Sequence, residues 1–178
     1  LLRYYDGISL AEVKSACKAA FAEQQAHMDR IGNEGKRMLR EAYAADMPVI
    51  ILASRPYHAD PEVCHGIDKL ICDLGAAVIT EDSVADEIPK FEVNVLNQWT
   101  YHSRMYAAAR YVAENAREHP KLNLVQFVSF GCGVDAITTD EIRSILESSG
   151  KIYTQIKIDE ITNLGTVKIR LRSLFATM

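Results

Sequence analysis

After Pro48, short runs of apolar and β-branched residues alternate with stretches of helical periodicity, and this alternation is the strongest constraint on the fold. Parallel strands need long crossover connections, which helices supply. The pattern predicts an α/β fold, a Rossmann-like or flavodoxin-like parallel sheet of about four strands with helices on both faces. The predicted strands are residues 49–53, 77–80, 124–129 and 152–158, and the predicted helices are residues 64–74, 98–118 and 138–148 with a last one that follows Gly165 and reaches Phe175.

The first part of the chain is alanine-rich and carries charges at helical intervals. Ser9 with Glu12 three residues later forms the pattern of a capping box, which marks a helix start. We expect two helices here, broken near Gly32 and Asn33, and therefore divide the chain into an N-terminal helical segment (1–46) and an α/β domain (47–178). The chain opens in mid-pattern without methionine, which predicts that it is a fragment of a larger polypeptide.

Composition narrows the classes of function. The chain has 178 residues, 48% of them hydrophobic, with a net charge of −4. A nucleic-acid binder would normally carry a basic patch, so nucleic acid is not an expected partner. The apolar runs are too short to span a bilayer, and the first residues lack the pattern of a signal peptide. These features predict a cytoplasmic protein with no membrane contact.

The four cysteines show neither paired nor regular spacing. The spacing therefore predicts neither a disulfide framework nor a self-contained zinc motif. Cys64 with His58, His65 and His102 also lacks the spacing of a known zinc pattern. Cys17 and Cys72 lie among apolar residues and are expected to be small core side chains.

Cys132 differs from the other cysteines because it follows the apolar run 125–130 and stands between Gly131 and Gly133. Glycines remove side-chain bulk and permit a sharp turn after a strand. In an open α/β sheet the carboxyl ends of the strands form the ligand-binding edge. The thiol could therefore be a nucleophile, a redox group or an iron ligand, and the plain alternative is a buried cysteine at a tight turn.

The first predicted strand runs into a loop with two prolines and many polar groups, residues 54–62. We expect Ser54, Arg55, Tyr57 and His58 to line the same crevice as Cys132, with Arg55 suited to an anionic group. An ordinary surface loop is the alternative. Glycine-rich nucleotide-binding motifs are absent from the sequence, which argues against dinucleotide or P-loop nucleotide binding.

Two further segments follow this loop. The carboxylates after the second strand, Glu81 and Asp82, are expected to serve as turn or capping residues, and ligand binding is the alternative. The only tryptophan, Trp99, stands at the start of a long helix and is expected to pack beneath the adjoining loop rather than to touch a cofactor.

Several segments together resemble the 2-hydroxyacyl-CoA dehydratase superfamily, and more closely the large acyl-CoA dehydratase activase-related proteins. The resemblance covers roughly residues 48–175 and is carried by the segments 54–62, 97–101, 129–135, 156–159 and 165–171. The first and third of these are fairly specific, whereas the closing stretch is weak by itself.

The resemblance implies a domain of a larger iron–sulfur protein. In that superfamily a [4Fe–4S] cluster lies between two such domains and serves radical dehydration or electron transfer driven by an ATP-dependent activase. Only Cys132 matches a cluster ligand by position, with Gly131 and Gly133 beside it, so the other ligands would come from outside this chain. The implied partners are other domains of the parent polypeptide, dehydratase-type subunits or a second copy of the chain.

Two other hypotheses remain open at this point. The chain could be a cofactor-free scaffold that docks neighbouring domains, in which case Cys132 is a buried turn residue. It could also be a thiol enzyme with Cys132 as nucleophile, which would require a reactive thiolate.

Overall fold

The computed structural model describes residues 4, 6–129, 131–158 and 163–178. The strands are β1 (Val49–Ala53), β2 (Ala77–Thr80), β3 (Leu122–Val128) and β4 (Thr154–Lys157), and the helices are α1 (Leu10–Ala44), α2 (Pro61–Cys64), α3 (Ile67–Asp73), α4 (Thr100–Glu114), α5 (Gly133–Glu147) and α6 (Gly165–Phe175). Short 3-10 turns at Pro56–Ala59, Glu81–Ser83 and Ala85–Glu87 complete the elements. Among the described helices, none is both long and apolar enough to cross a membrane.

The four strands form one parallel sheet with the order β2-β1-β3-β4. This order is that of the flavodoxin-like doubly wound folds. Ala53 at the end of β1 pairs with Gln126 of β3, and Val128 at the end of β3 pairs with Lys157 of β4. The predicted α/β architecture is therefore confirmed, and the ends of β1 and β3 lie side by side at one edge of the sheet.

Alternate residues of the strands face two separate cores. Val49 and Ile51 of β1 pack with α1, α4 and α5, whereas Ile50 and Leu52 pack with α3 and α6. All five residues of β1 and all seven of β3 are buried. Strands covered on both faces are apolar throughout rather than alternating, and this explains why these runs were visible in the sequence.

The expected break of the N-terminal segment near Gly32 and Asn33 is wrong, because α1 is one helix of 35 residues. The capping box of Ser9 and Glu12 is present as predicted. An internal glycine costs a helix only about 1 kcal/mol, and Gly35 is buried against the turn 81–83, where a Cβ atom would overlap Ser83. Tertiary packing thus explains Gly35, whereas a Cβ atom on Gly32 would meet no described atom within 4 Å, so Gly32 is simply tolerated inside the helix.

Other boundaries differ where local signals were ambiguous. The predicted helix 64–74 is divided into α2 and α3, because His65 and Gly66 both adopt positive φ angles, of 52° and 74°. α5 begins at Gly133 rather than at Thr138, and α4 is shorter than predicted at both ends. Strand β3 begins two residues earlier than predicted, and β4 is confined to 154–157.

The predicted burial of two cysteines is also wrong. Cys17 and Cys72 are both exposed. Cys17 lies on the amino-terminal part of α1, where the described side chains are almost all exposed, and Cys72 lies beside the buried face of α3 formed by Ile67 and Ile71. Alanine-rich and apolar local sequence therefore did not indicate burial at these positions.

Candidate functional site at the carboxyl ends of strands 1 and 3

The candidate site lies outside the ends of β1 and β3. In the order β2-β1-β3-β4, the connection after β1 leads to one side of the sheet and the connection after β3 leads to the other. Open α/β sheets bind ligands in the crevice at such a switch point. The loop that begins at Ser54 enters this crevice from β1, and the segment that begins at Ser129 enters it from β3.

Ser129 is the centre of a buried hydrogen-bond network. Its Oγ atom lies 3.1 Å from the Arg55 guanidinium, 3.1 Å from the Tyr57 hydroxyl and 3.0 Å from Nε2 of His58. Ser129 and His58 are buried, whereas Tyr57 is 42% exposed. The structure therefore brings three of the predicted site residues, Arg55, Tyr57 and His58, onto one serine of the opposite strand.

The directions of these hydrogen bonds follow from the donors available. The backbone N–H of Arg55 donates to Nδ1 of His58 at 3.3 Å, so that the neutral imidazole carries its proton on Nε2 and donates to Ser129. Ser129 then accepts from His58 and Arg55 and has one hydroxyl proton left, which it donates to Tyr57. Consequently the hydroxyl proton of Tyr57 points away from the network, on a side chain that reaches the surface.

An ion pair closes the network on the side of α5. The Arg55 guanidinium lies 2.6 Å from Oδ2 of Asp135, and the two side chains are 17% and 9% exposed. Oδ2 of Asp135 also accepts from the backbone N–H of Ser129 at 3.3 Å. Asp135 lies in the first turn of α5, where the helix dipole favours a carboxylate. This ion pair fixes the loop after β1 against the start of α5.

His102 lies in the first turn of α4 and is one of the buried side chains of this region with polar atoms that lack hydrogen-bond partners in the described part of the chain. Its side chain is buried, and neither ring nitrogen has a hydrogen-bond partner among the described residues. Burial lowers the pKa of His102, Asp135 acts in the opposite direction, and the positive charge of Arg55 lowers it further. His102 is therefore a neutral imidazole close to the Arg55–Asp135 ion pair, with the Trp99 ring 5.3 Å from its own.

Glu81 lies at the neighbouring end of β2 and is almost fully buried. Burial raises its pKa to about 7, the charge of Asp82 adds to this, and Arg104 together with the backbone N–H of Ser54 opposes it. The Arg104 guanidinium is 3.3 Å from the Glu81 carboxylate. Glu81 begins the 3-10 turn Glu81–Ser83, as expected of a turn residue, and it is also a buried acid that contacts the first residue of the β1 loop.

Cys132 lies on the other side of the same edge. It is the N-cap residue of α5, with extended backbone angles of −62° and 131°, and its side chain is partly exposed. A Cβ atom built on Gly131 or Gly133 would meet no described atom within 4 Å, so both glycines face open space. The thiol lines a cleft of about 370 Å³ together with Thr139, Gln155 and other residues at the ends of β3 and β4.

Several of the site residues were not predicted. Ser129, Asp135 and His102 are separated from Arg55 by many positions in the sequence, and only the sheet order brings them together. The available signals were the position of Ser129 directly after an apolar strand and of Asp135 in the next segment. Among the described residues there is no group of three or more His, Cys, Asp and Glu side chains that could hold a metal.

One comparison with known proteins bears on the first part of the chain. Residues 1–84 match the family model described as CoA enzyme activase uncharacterised domain (DUF2229). This part of the chain is similar to the CoA enzyme activases. No curated protein and no solved structure matches the chain.

The match to the CoA enzyme activase domain covers α1, β1, the Arg55 loop and β2, and it ends at residue 84. The match crosses the predicted boundary between residues 46 and 47, and the division of the chain into two domains stays a prediction. Cys132, Ser129 and Asp135 lie beyond the matched residues. This match supports the resemblance to acyl-CoA dehydratase activase-related proteins. Of the two specific segments of that resemblance, the matched residues include 54–62 but not 129–135.

Proposed function

We propose that this activase-related chain contributes one thiolate, Cys132 Sγ, to a [4Fe–4S] cluster that it shares with cysteines outside the chain. The observation that carries the proposal is the position of Cys132, partly exposed at the start of α5, between two glycines and at the ligand-binding edge of the sheet. A second protein surface could approach the sulfur closely at this point.

The donor set of the chain fits one ligand of such a cluster and not four. Iron–sulfur clusters of this kind are held by four cysteine thiolates. Cys64 is buried beside Asp68, its Sγ atom 3.7 Å from the carboxylate, while Cys17 and Cys72 are exposed on α1 and α3. Cys132 is the one of the four that lies at the edge formed by β3 and α5. Three ligands must therefore come from another domain, a dehydratase-type subunit or a second copy.

The surroundings of Cys132 suit an anionic sulfur. The amino terminus of the 15-residue helix α5 carries partial positive charge, which favours negative groups. A cluster held there would supply one-electron chemistry, either in electron transfer or in radical dehydration of an acyl-CoA thioester. The role of this chain is to place one sulfur on a rigid helix start and to hold that helix through the Arg55–Asp135 ion pair.

The test is the iron and acid-labile sulfide content of the anaerobically purified protein with every domain of its natural polypeptide. Cys132→Ser removes the soft ligand at nearly unchanged size, and Cys17→Ser is the matched control at an exposed cysteine far from the edge. We expect Cys132→Ser to lose most of the iron and Cys17→Ser to retain it. Equal iron in all three proteins, or iron in none, refutes the proposal and favours the cofactor-free scaffold.

A further inference from the structure

A second binding function is indicated by buried polar atoms of Arg55 and His102 that lack hydrogen-bond partners in the part of the chain that the structure describes. Both ring nitrogens of His102 and Nε of Arg55 are buried and lack partners among the described residues. The side chain of His102 is only 8% exposed overall. Leaving buried donors unpaired is costly, and native structures normally satisfy them with protein, water or ligand. The neutral imidazole of His102 has one N–H donor, so an acceptor oxygen is expected to lie beside that nitrogen.

The Tyr57 hydroxyl adds a further donor to this set. It accepts from Ser129, as argued above, so its own proton points outward. Its ring lies 5.2 Å from the Arg55 guanidinium, which places the phenol on the open side of the network. A ligand entering the crevice thus meets donors and needs an acceptor atom.

The charges of the site argue against an anionic ligand. Arg55 is paired with Asp135, and Arg104 is paired with Glu81. Arg55 therefore provides no uncompensated positive charge, whereas Glu81, whose pKa is raised to about 7, compensates Arg104 only when it is ionised. The acceptor that fits best is the oxygen of an uncharged carbonyl group, because it accepts hydrogen bonds without bringing a charge into a buried site.

Aromatic side chains flank the donors. Trp99 is 49% exposed with its ring against His102, and Tyr57 is 42% exposed. Large rings at the rim of a polar crevice offer contact area for an apolar group while their polar atoms remain available. The expected burial of Trp99 beneath a loop is not what the structure shows, since the ring is half exposed.

We propose that the crevice between the ends of β1 and β3 binds the carbonyl group of a small uncharged organic molecule, with His102 and Tyr57 as donors and Trp99 against its apolar part. This function goes beyond the proposed cluster ligation and does not depend on Cys132. The bound oxygen replaces water beside His102, and the imidazole is its principal partner.

The test uses Trp99 as its reporter, because it is the only tryptophan of the chain. Trp99→Phe in the same full protein supplies the background emission. Cyclohexanecarboxamide is titrated to about 50 mM, since a probe of this size binds in the millimolar range. Cyclohexanecarboxylate, of the same shape but anionic, is the matched probe. We expect a saturable change in Trp99 emission with the amide and at least tenfold weaker binding of the carboxylate.

Variants then separate the proposal from a structural role. His102→Phe removes both ring nitrogens and should weaken amide binding about tenfold, whereas His102→Gln keeps a donor and should recover part of it. Tyr57→Phe removes the outward donor together with the oxygen that accepts from Ser129, and it tests the donor set even if the first variant fails to fold. Cys132→Ser should bind the amide like the wild type, whatever its iron content.

Three results would overturn the inference. They are no saturable change with the amide, carboxylate binding as tight as that of the amide, and amide binding that neither Tyr57→Phe nor His102→Gln alters. The second result would indicate an anion site despite the two ion pairs. The first or third would indicate that water alone satisfies His102.

Discussion

Glu81 provides the sharpest test of the electrostatics at the candidate site. Its side chain is 4% exposed, and its carboxylate lies 3.3 Å from the Arg104 guanidinium. Burial is the largest influence on its pKa and raises it from 4.5 to about 7, against the opposing effect of Arg104. The ion pair is therefore too weak to compensate for the loss of water around the carboxylate.

The sign of the pH dependence follows from this pKa. Below about pH 4.5 the carboxyl is protonated in both folded and unfolded states, and it has no effect on the pH dependence. Between 4.5 and about 7 the unfolded chain loses its proton first, so the free energy of unfolding falls as pH rises. Above about pH 7 the carboxylate is ionised in both states, and its burial destabilises the folded state by the full amount. At about 1.4 kcal/mol per pH unit this destabilisation amounts to about 3 kcal/mol.

Glu81→Gln should remove this penalty, because the amide has nearly the same shape and cannot ionise. The amide oxygen can still accept from the Ser54 backbone N–H, while the attraction of Arg104 is lost. We expect the variant to be about 1–3 kcal/mol more stable than the wild type near pH 8, and the gain to shrink towards pH 5. Urea denaturation across this pH range measures the difference. The matched control is Glu114→Gln, an exposed carboxylate paired with Arg110, which should show no such gain.

The refuting result is a Glu81→Gln variant that is less stable than the wild type near pH 8, or a difference that does not change with pH. Either outcome would mean that the ion pair with Arg104 outweighs burial. Glu81 would then be a charged structural residue rather than a buried acid with a raised pKa.

Two further perturbations test the packing and the ion pair. Gly35→Ala should destabilise the fold by about 1–3 kcal/mol because the new methyl group overlaps Ser83, and Ser83→Gly in the same chain should restore most of the loss in urea denaturation. Arg55→Met should cost about 3 kcal/mol or more, because it leaves the Asp135 carboxylate buried without its partner. Adding Asp135→Asn should recover much of that cost, and a double-mutant cycle with simply additive losses would contradict the coupling.

Strand positions were predictable where burial on both faces dictated composition. The structure confirms β1 and β2 at their predicted bounds. Pro48 and Ser54 interrupt the apolar run of β1 on either side, and Gly75, with a φ angle of 91°, ends the turn before β2. A backbone angle that favours glycine is a strictly local requirement, so it is visible in the sequence.

Helix boundaries failed where one residue type fits both a helix start and a helix interior. The helix start predicted at Thr138 lies inside α5, where the Thr138 hydroxyl donates to the Val134 carbonyl at 2.8 Å. A threonine can satisfy its hydroxyl in this way within a helix as well as at a cap, so the residue type does not distinguish the two. The expected break near Gly32 and Asn33 failed because an isolated glycine costs a helix only about 1 kcal/mol and does not end it.

The sequence predicts about half of the side chains that lie at the candidate site. The loop after β1 and the thiol after β3 were identified because both follow apolar strands, and the sheet order places both at one edge. Their partners were not identified because Ser129 and Asp135 meet Arg55 across 74 and 80 residues. His102 was missed as a site residue because its significance lies in an absent partner, which only coordinates reveal.

The two proposed functions share one element, and this makes their relation testable. Asp135 lines the cleft of Cys132 and also pairs with Arg55 in the donor crevice, so a single turn of α5 contributes to both. The Arg55 side of this ion pair lies within the residues that match the activase domain, and the Asp135 side lies beyond them.

If the ion pair transmits binding in the crevice to the start of α5, the amide probe should alter the alkylation rate of Cys132 in the wild type. The same probe should leave that rate unchanged in the Arg55→Met, Asp135→Asn double variant. An effect of the probe that persists in the double variant would show that the two sites communicate by another route, because the only ionic link between the β1 loop and α5 in the described residues has then been removed.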